Sequence, residues 1–178
     1  GEKLYAVYSD FALEGENAAF RVSGAEERKE KKTGLRFIIE KGADFETALA
    51  ELSNIKYGYL ALPEHFISLG ETLTTDNENA AMKAVGDEGF VYYDGTDKFT
   101  VCITDIPEKH RGESFAVCGF VAYTDLNGNR RTAYSNTAYS SLLEVSANSV
   151  MNGDISETEK AEKLQLINDT LSSEKTAL

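Results

Sequence analysis

A chain of 178 residues with 42% hydrophobic content is long enough for one packed domain. Thirty acids against 18 bases leave a formal charge of -12, a field that repels phosphate backbones and anionic lipid, so nucleic acid is a poor partner. No apolar run approaches the roughly 18 residues that membrane insertion requires, and two cysteines are too few for a disulfide-built miniprotein.

The chain opens on Gly1 without a methionine or a basic and apolar leader; a cloning residue and a removed targeting segment both account for this. Apolar runs bounded by turn residues predict strands at 4–9, 18–22, 35–40, 56–61, 90–93, 99–104, 115–123 and 131–134. Ser23-Gly24, Asp94-Gly95 and Asn127-Gly128 each place a glycine where a tight reversal needs one. The basic run from Arg28 to Lys32 is diluted by Glu26, Glu27 and Glu30 and reads as a solvated loop. Asp44 caps a short helix carrying Phe45, Leu49 and Leu52, and a second helix begins at Pro63. Residues 76–86 fit a helix or a loop.

The last quarter changes period. Leu142, Leu143, Ser146, Ala147 and Val150 recur at helical spacing, and Gly153 is a natural stop. Ser156 and Glu159 form a capping box ahead of Leu164, Ile167 and Leu171. The expected fold is mainly β: an antiparallel sandwich-like body with short helices and a C-terminal helical pair, with a split α+β arrangement as the alternative. Residues 1–153 form the β-rich domain, including the first terminal helix. Residues 154–178 form an amphipathic helix and tail, packed on that domain or on a partner.

The two cysteines fall on neighbouring predicted strands. Setting Cys102 opposite Cys118 pairs Phe99 with Val121, Val101 with Gly119 and Ile103 with Val117, which gathers one apolar face. In that register a disulfide can form, free thiols being the alternative. Either way the cysteines are structural, and no metal-ligand spacing surrounds them.

Sites of known chemistry are sparse. Asp125, Asn127 and Asn129 alternate like the start of a calcium loop, but Gly128 comes too early and Asn136 replaces the closing Glu. The segment is therefore read as a hairpin with Asn127-Gly128 as the two residues of a type I′ turn. Its return strand ends at Tyr134-Ser135-Asn136, where Ser, Asn or Thr137 caps a helix starting near Tyr139. His65 and His110 lie in separate polar connections. No nucleophile elbow, Walker loop, dinucleotide fingerprint or HExxH motif occurs, so no catalytic residue, cofactor or metal is assigned. The tyrosines are the better candidates for ligand contact: Tyr57 and Tyr59 on one strand face, with Tyr92, Tyr93, Tyr123 and Tyr134 near turns. The competing reading places most of them in the core.

An ordered series of short motifs runs through the chain: GLRF (34–37), YGYLALP (57–63), FTVCITDI (99–106), FAVCGFVAY (115–123), DLNG (125–128), YSN (134–136) and SLLEVS (141–146). In this order the series resembles uncharacterised modules of secreted and cell-surface proteins from gut Firmicutes, such as clostridia and ruminococci, over about residues 18–150. The sequence departs from that pattern at Asn136, where Asp is usual, and at Cys118, where Arg is frequent. The resemblance implies a non-catalytic extracellular accessory module, secreted or on the cell surface, whose targeting segment is absent from this chain. It implies recognition of a carbohydrate or a surface protein. A purely structural spacer and a carboxylate-based hydrolase are the alternatives.

Overall fold

A computed structural model describes residues 20–50, 52–93, 95 and 97–176, so the strand predicted at 4–9 lies outside the described residues. Nine strands form two antiparallel sheets among those residues. The first sheet runs β1 (Phe20–Arg28), β2 (Gly34–Lys41), β6 (Lys98–Thr104) and β5 (Val91–Tyr92) in spatial order. The second runs β4 (Ala81–Ala84), β3 (Ser53–Pro63), β7 (Phe115–Thr124) and β8 (Arg130–Tyr134). A short β9 (Ala138–Ser140) also pairs with β7. The mainly β, sandwich-like body expected from the apolar runs is what the chain forms.

Alternation along the strands decides which residues fill the space between the sheets. Phe37 and Ile39 from β2, Phe99 and Val101 from β6, and Val117 and Val121 from β7 all point inward. The outer face of the second sheet is buried too. Leu60, Leu62, Ala116, Cys118 and Phe120 pack beneath Leu73 of the long β3–β4 connection, forming a second core. Strand β7 is thus apolar on both sides, as its unbroken run FAVCGFVA requires.

Cys102 and Cys118 are not cross-strand neighbours. Strand β6 pairs with β2 and β5, whereas β7 pairs with β3, β8 and β9, so the two cysteines belong to different sheets. Both thiols are free, Cys102 exposed and Cys118 buried. The shared apolar face is real, since Phe99, Val101, Val117 and Val121 line one core. The expected pairing fails because residues between β6 and β7 form a crossover from one sheet to the other. That connection includes Asp105 at φ 59° and a 3-10 turn at Glu108–His110, and is no tight hairpin.

Other local expectations shift as well. Ser23-Gly24 is a bulge inside β1, where the register steps from Val22↔Ile39 to Gly24↔Ile38. The reversal from β1 to β2 is made instead by the charged loop after Arg28, with Lys31 at φ 60° and the Arg28 guanidinium donating to Lys32 O at 2.8 Å. Residues 81–84, within the segment read as helix or loop, form edge strand β4 against β3. The turn between β7 and β8 is not type I′: Gly128, at φ 82°, is the position with positive φ there. Asp125 N–H donates to Asn129 O and Gly128 N–H to Asp125 O, both at 2.9 Å, which makes a three-residue loop closed by a glycine bulge. Gly95, at φ 92°, lies between β5 and β6 as expected, while Asp94 is outside the described residues.

Helix α1 (Phe45–Leu49) plugs one end of the sandwich with Phe45 and Leu49, both buried, though Asp44 makes no side-chain cap. Pro63 is followed by a single 3-10 turn, Glu64–Phe66. Helix α2 (Leu142–Met151) starts later than expected because Ala138–Ser140 stay on β7 as β9. Its cap is Ser141, whose hydroxyl accepts from Glu144 N–H at 3.1 Å. Leu142 and Val145 enter the inter-sheet core. Helix α3 (Glu157–Thr176) begins with the expected capping box: Glu159 N–H donates to Ser156 Oγ at 3.3 Å and Ser156 N–H to Glu159 Oε2 at 3.2 Å. It packs against α2.

One polar contact ties the two sheets together along their β1 and β8–β9 sides. Ser135 leaves the ladder between β8 and β9: its N–H donates to Gly119 O at 2.9 Å, and its hydroxyl accepts from Gly119 N–H at 2.7 Å. This bulge turns Asn136 toward β1. The Asn136 side chain accepts from Val22 N–H at 2.9 Å and donates to Val22 O at 3.2 Å, pairing with the backbone as a further strand would.

Candidate functional site

The opposite side of the sandwich, which carries edge β4 of one sheet and edge β5 of the other, gathers three of the six candidate tyrosines. Tyr57 and Tyr59 project from β3 into the inter-sheet space, as their shared face requires. Phe90 stacks on Tyr59 with ring centroids 6.1 Å apart and meets Tyr92 edge-on at 5.4 Å. The hydroxyls of Tyr57 and Tyr92 lie 3.3 Å apart and share a hydrogen bond between the sheets. Behind them Tyr57 meets Phe45 edge-on at 5.1 Å, and the Lys41 ammonium sits 5.2 Å from the Phe45 ring centroid. Lys41 also pairs with Glu46 at 3.0 Å.

Exposure varies steeply across this group. Tyr59 is 8% exposed, but Tyr92 is 38% and Val91 54% exposed. Val85 adds to the rim, its N–H donating to Tyr57 O at 2.9 Å. The β5 edge therefore presents one hydroxyl-bearing ring, Tyr92, on the side of its partner Phe99, while Val91, paired with Thr100, faces the outer side of the first sheet. Burial and the bond to Tyr92 push the Tyr57 phenol up, and burial does the same to Tyr59. Both phenols remain neutral, and Tyr57 keeps its hydrogen bond to Tyr92.

The other three tyrosines serve different places. Tyr93 lies beneath the Arg36 guanidinium, 4.9 Å from ring centroid to Cζ, on the outer face of the first sheet. Burial alone would lower the Arg36 value, but Glu26 and Glu30 beside it raise it. Tyr123 packs half-buried against the inter-sheet core. Tyr134 shares a 2.7 Å hydrogen bond with the Thr75 hydroxyl and accepts from Thr75 N–H at 3.1 Å. That contact pins the β3–β4 connection over the second core.

The Asp125 carboxylate is spent on its own turn. It accepts from the N–H groups of Asn127 and Asn129, both at 2.9 Å, and from Arg131 Nε at 2.6 Å. The Arg131 bond chiefly, and then the Asn129 N–H, hold its pKa down at about 2. Burial pushes the Cys118 thiol up to about 12, so it is an inert core group.

Two features escaped the sequence reading. An open groove of about 620 Å³ runs between α2, α3 and the β6–β7 connection, lined by Ile106, Arg111, Leu142, Leu143, Leu166 and Ile167. On the connection itself, His110 and Glu113 are joined by His65 from the turn after β3. Their positions, far apart in the chain, carry no spacing signal. Among the described residues no group of three or more His, Cys, Asp or Glu side chains could hold a metal ion. No described helix is long and apolar enough to cross a membrane. Comparison with family models, curated proteins and solved structures returns no match for this chain.

Proposed function

We propose that the chain is a non-catalytic accessory module of a bacterial secreted or cell-surface protein, recognising a glycan or protein ligand at the β4–β5 edge. The observation that carries the reading is the exposed Tyr92 ring, which meets Phe90 edge-on and shares a hydrogen bond with Tyr57, with Tyr59 stacked behind Phe90. Rings fixed from behind lose little freedom on binding, and a hydroxyl at the rim adds direction to apolar contact. Surface location rests on the ordered motifs from GLRF to SLLEVS. Every carboxylate with a resolved shift among the described residues is lowered, which lends no support to a hydrolase needing a raised-pKa acid.

A spacer without its own ligand is the second reading, favoured by the packing roles of Tyr59, Tyr123 and Tyr134. Glycan-array binding and binding to purified surface proteins separate the two, each repeated with Tyr92→Ala and Val91→Ser. Binding lost in these variants at unchanged melting temperature supports recognition. No binding, or binding indifferent to both changes, favours the spacer.

A further inference from the structure

Strand β8 ends the second sheet on the side away from β4, and among the described residues no strand lies beyond it. Its ladder with β7 fixes which backbone groups are left over. Asp125 N–H donates to Asn129 O and Ser135 N–H to Gly119 O, so hydrogen-bonded pairs flank the ladder at both ends in its own register. Antiparallel alternation then bonds Tyr123 to Arg131 and Val121 to Ala133, and turns the N–H and C=O groups of Arg130, Thr132 and Tyr134 away from β7. Arg130, Arg131 and Thr132 are exposed, so this outward row meets solvent. Within the strand neither proline nor bulge blunts the edge.

Backbone groups that recur about every 6.8 Å match another extended chain and nothing smaller. Charge narrows the occupant further. The strands of this sheet, β3, β4, β7, β8 and β9, contain Lys56, Lys83, Arg130 and Arg131 but no Asp or Glu, although the chain as a whole is strongly acidic. Asp125 holds Arg131 at 2.6 Å, whereas Arg130 makes no ion pair among the described residues. Arg130 and Thr132 share the outer face of the sheet with Tyr134, and with Asn54, Ala122 and Thr124 they line an open groove of about 490 Å³. Screening limits charge effects to about 8 Å at physiological salt, so a partner on this edge meets the local cations and not the net charge. We propose that β8 takes up an extended acidic peptide of a partner protein as a further strand, with a partner carboxylate over Arg130. The surface is separate from the β4–β5 edge and does not depend on it.

The test follows backbone amides by NMR in the isotope-labelled full chain, with two capped hexapeptides as probes. One alternates threonine with glutamate, the other threonine with lysine. In the free chain the amides of Arg130, Thr132 and Tyr134 should exchange with solvent faster than those of Arg131 and Ala133. The glutamate peptide should shift the three outward amides and slow their exchange, while the lysine peptide and a fully N-methylated glutamate peptide should do neither. Arg130→Glu should weaken binding of the glutamate peptide about fivefold or more. Thr132→Pro removes an outward donor and leaves the bonds to β7 in place, so binding should be lost at a melting temperature close to the parent. No response to the glutamate peptide, or an equal response to either control peptide, would overturn the proposal. So would sedimentation showing that the free chain already pairs β8 with a second copy.

Discussion

Asn136 joins the two sheets through one amide, and the substitution Asn136→Asp tests whether that amide works as a strand surrogate. A carboxylate keeps the shape and the acceptor for Val22 N–H, but turns a second acceptor toward Val22 O, where Asn136 now donates. Val22 is 6% exposed, so water compensates poorly for a lost partner. Losing one hydrogen bond at a buried group costs about 1–3 kcal/mol, and carboxylate against carbonyl places the Asp variant toward the upper part. Asn136→Ala strands both Val22 groups and should cost about 2 kcal/mol. In a domain of this size each kcal/mol shifts the melting temperature by roughly 2–4 °C. At pH 7 the Ala variant should therefore melt about 4–8 °C below the parent and the Asp variant about 6–12 °C below it.

Acid separates them. An ionised carboxylate beside a carbonyl is disfavoured in the folded state, so the folded pKa of the introduced side chain rises above the ordinary value near ~3.9. Its deficit is full at pH above that raised value and shrinks as pH falls through it, because the protonated carboxyl can donate to Val22 O. Calorimetry from about pH 7 to about pH 3.5 should show the Asp variant gaining on the Ala variant. An Asp variant as stable as the parent at pH 7, or one tracking the Ala variant at every pH, would refute the surrogate reading.

Two further outcomes follow from the core and the hairpin. Gly119 faces the fully buried Phe20 ring, and a Cβ there would overlap its edge, so Gly119→Ala should cost about 1–3 kcal/mol. Part of that loss should be recovered by adding Phe20→Leu, as a double-mutant cycle by urea unfolding would read; strictly additive losses would count against the contact. Asp125→Asn should lower the melting temperature at pH 6, since a depressed carboxylate stabilises the fold above its ordinary value near 3.8. The gap should close as pH falls from there toward about 2, and a gap that persists at pH 2 would show that the charge is not what matters.

Period-two alternation reports faces, and on faces the sequence is legible. Phe99, Val101, Val117 and Val121 do line one core, and Tyr57 and Tyr59 do share a side. Alternation says nothing about neighbours, which is why it suggests pairing consecutive β6 and β7 although each joins a different sheet. Ser23-Gly24 misleads for a related reason: glycine serves a bulge as readily as a turn. The alanine-rich β4 has little strand propensity and is held by its pairing with β3. The sequence offers six candidate tyrosines of equal standing. Only burial singles out Tyr92 as the exposed one that meets Tyr57 and Phe90. The His65–Glu113–His110 meeting is a product of the β3–β7 ladder and is invisible to spacing.

The two central pairings, β2 with β6 and β3 with β7, also bear on how the chain acquires its shape. Gly34 pairs with Thr104 and Pro63 with Phe115, partners that leave the ribosome far apart in time. When β1, β2 and β3 have emerged, only the β1–β2 hairpin can close on local contacts. The apolar faces of β2 and β3 wait for β6 and β7. Such high contact order places folding in the range on the order of milliseconds to seconds, with loop-closure entropy preceding any reward from the core. During synthesis the waiting strands are open templates for other chains.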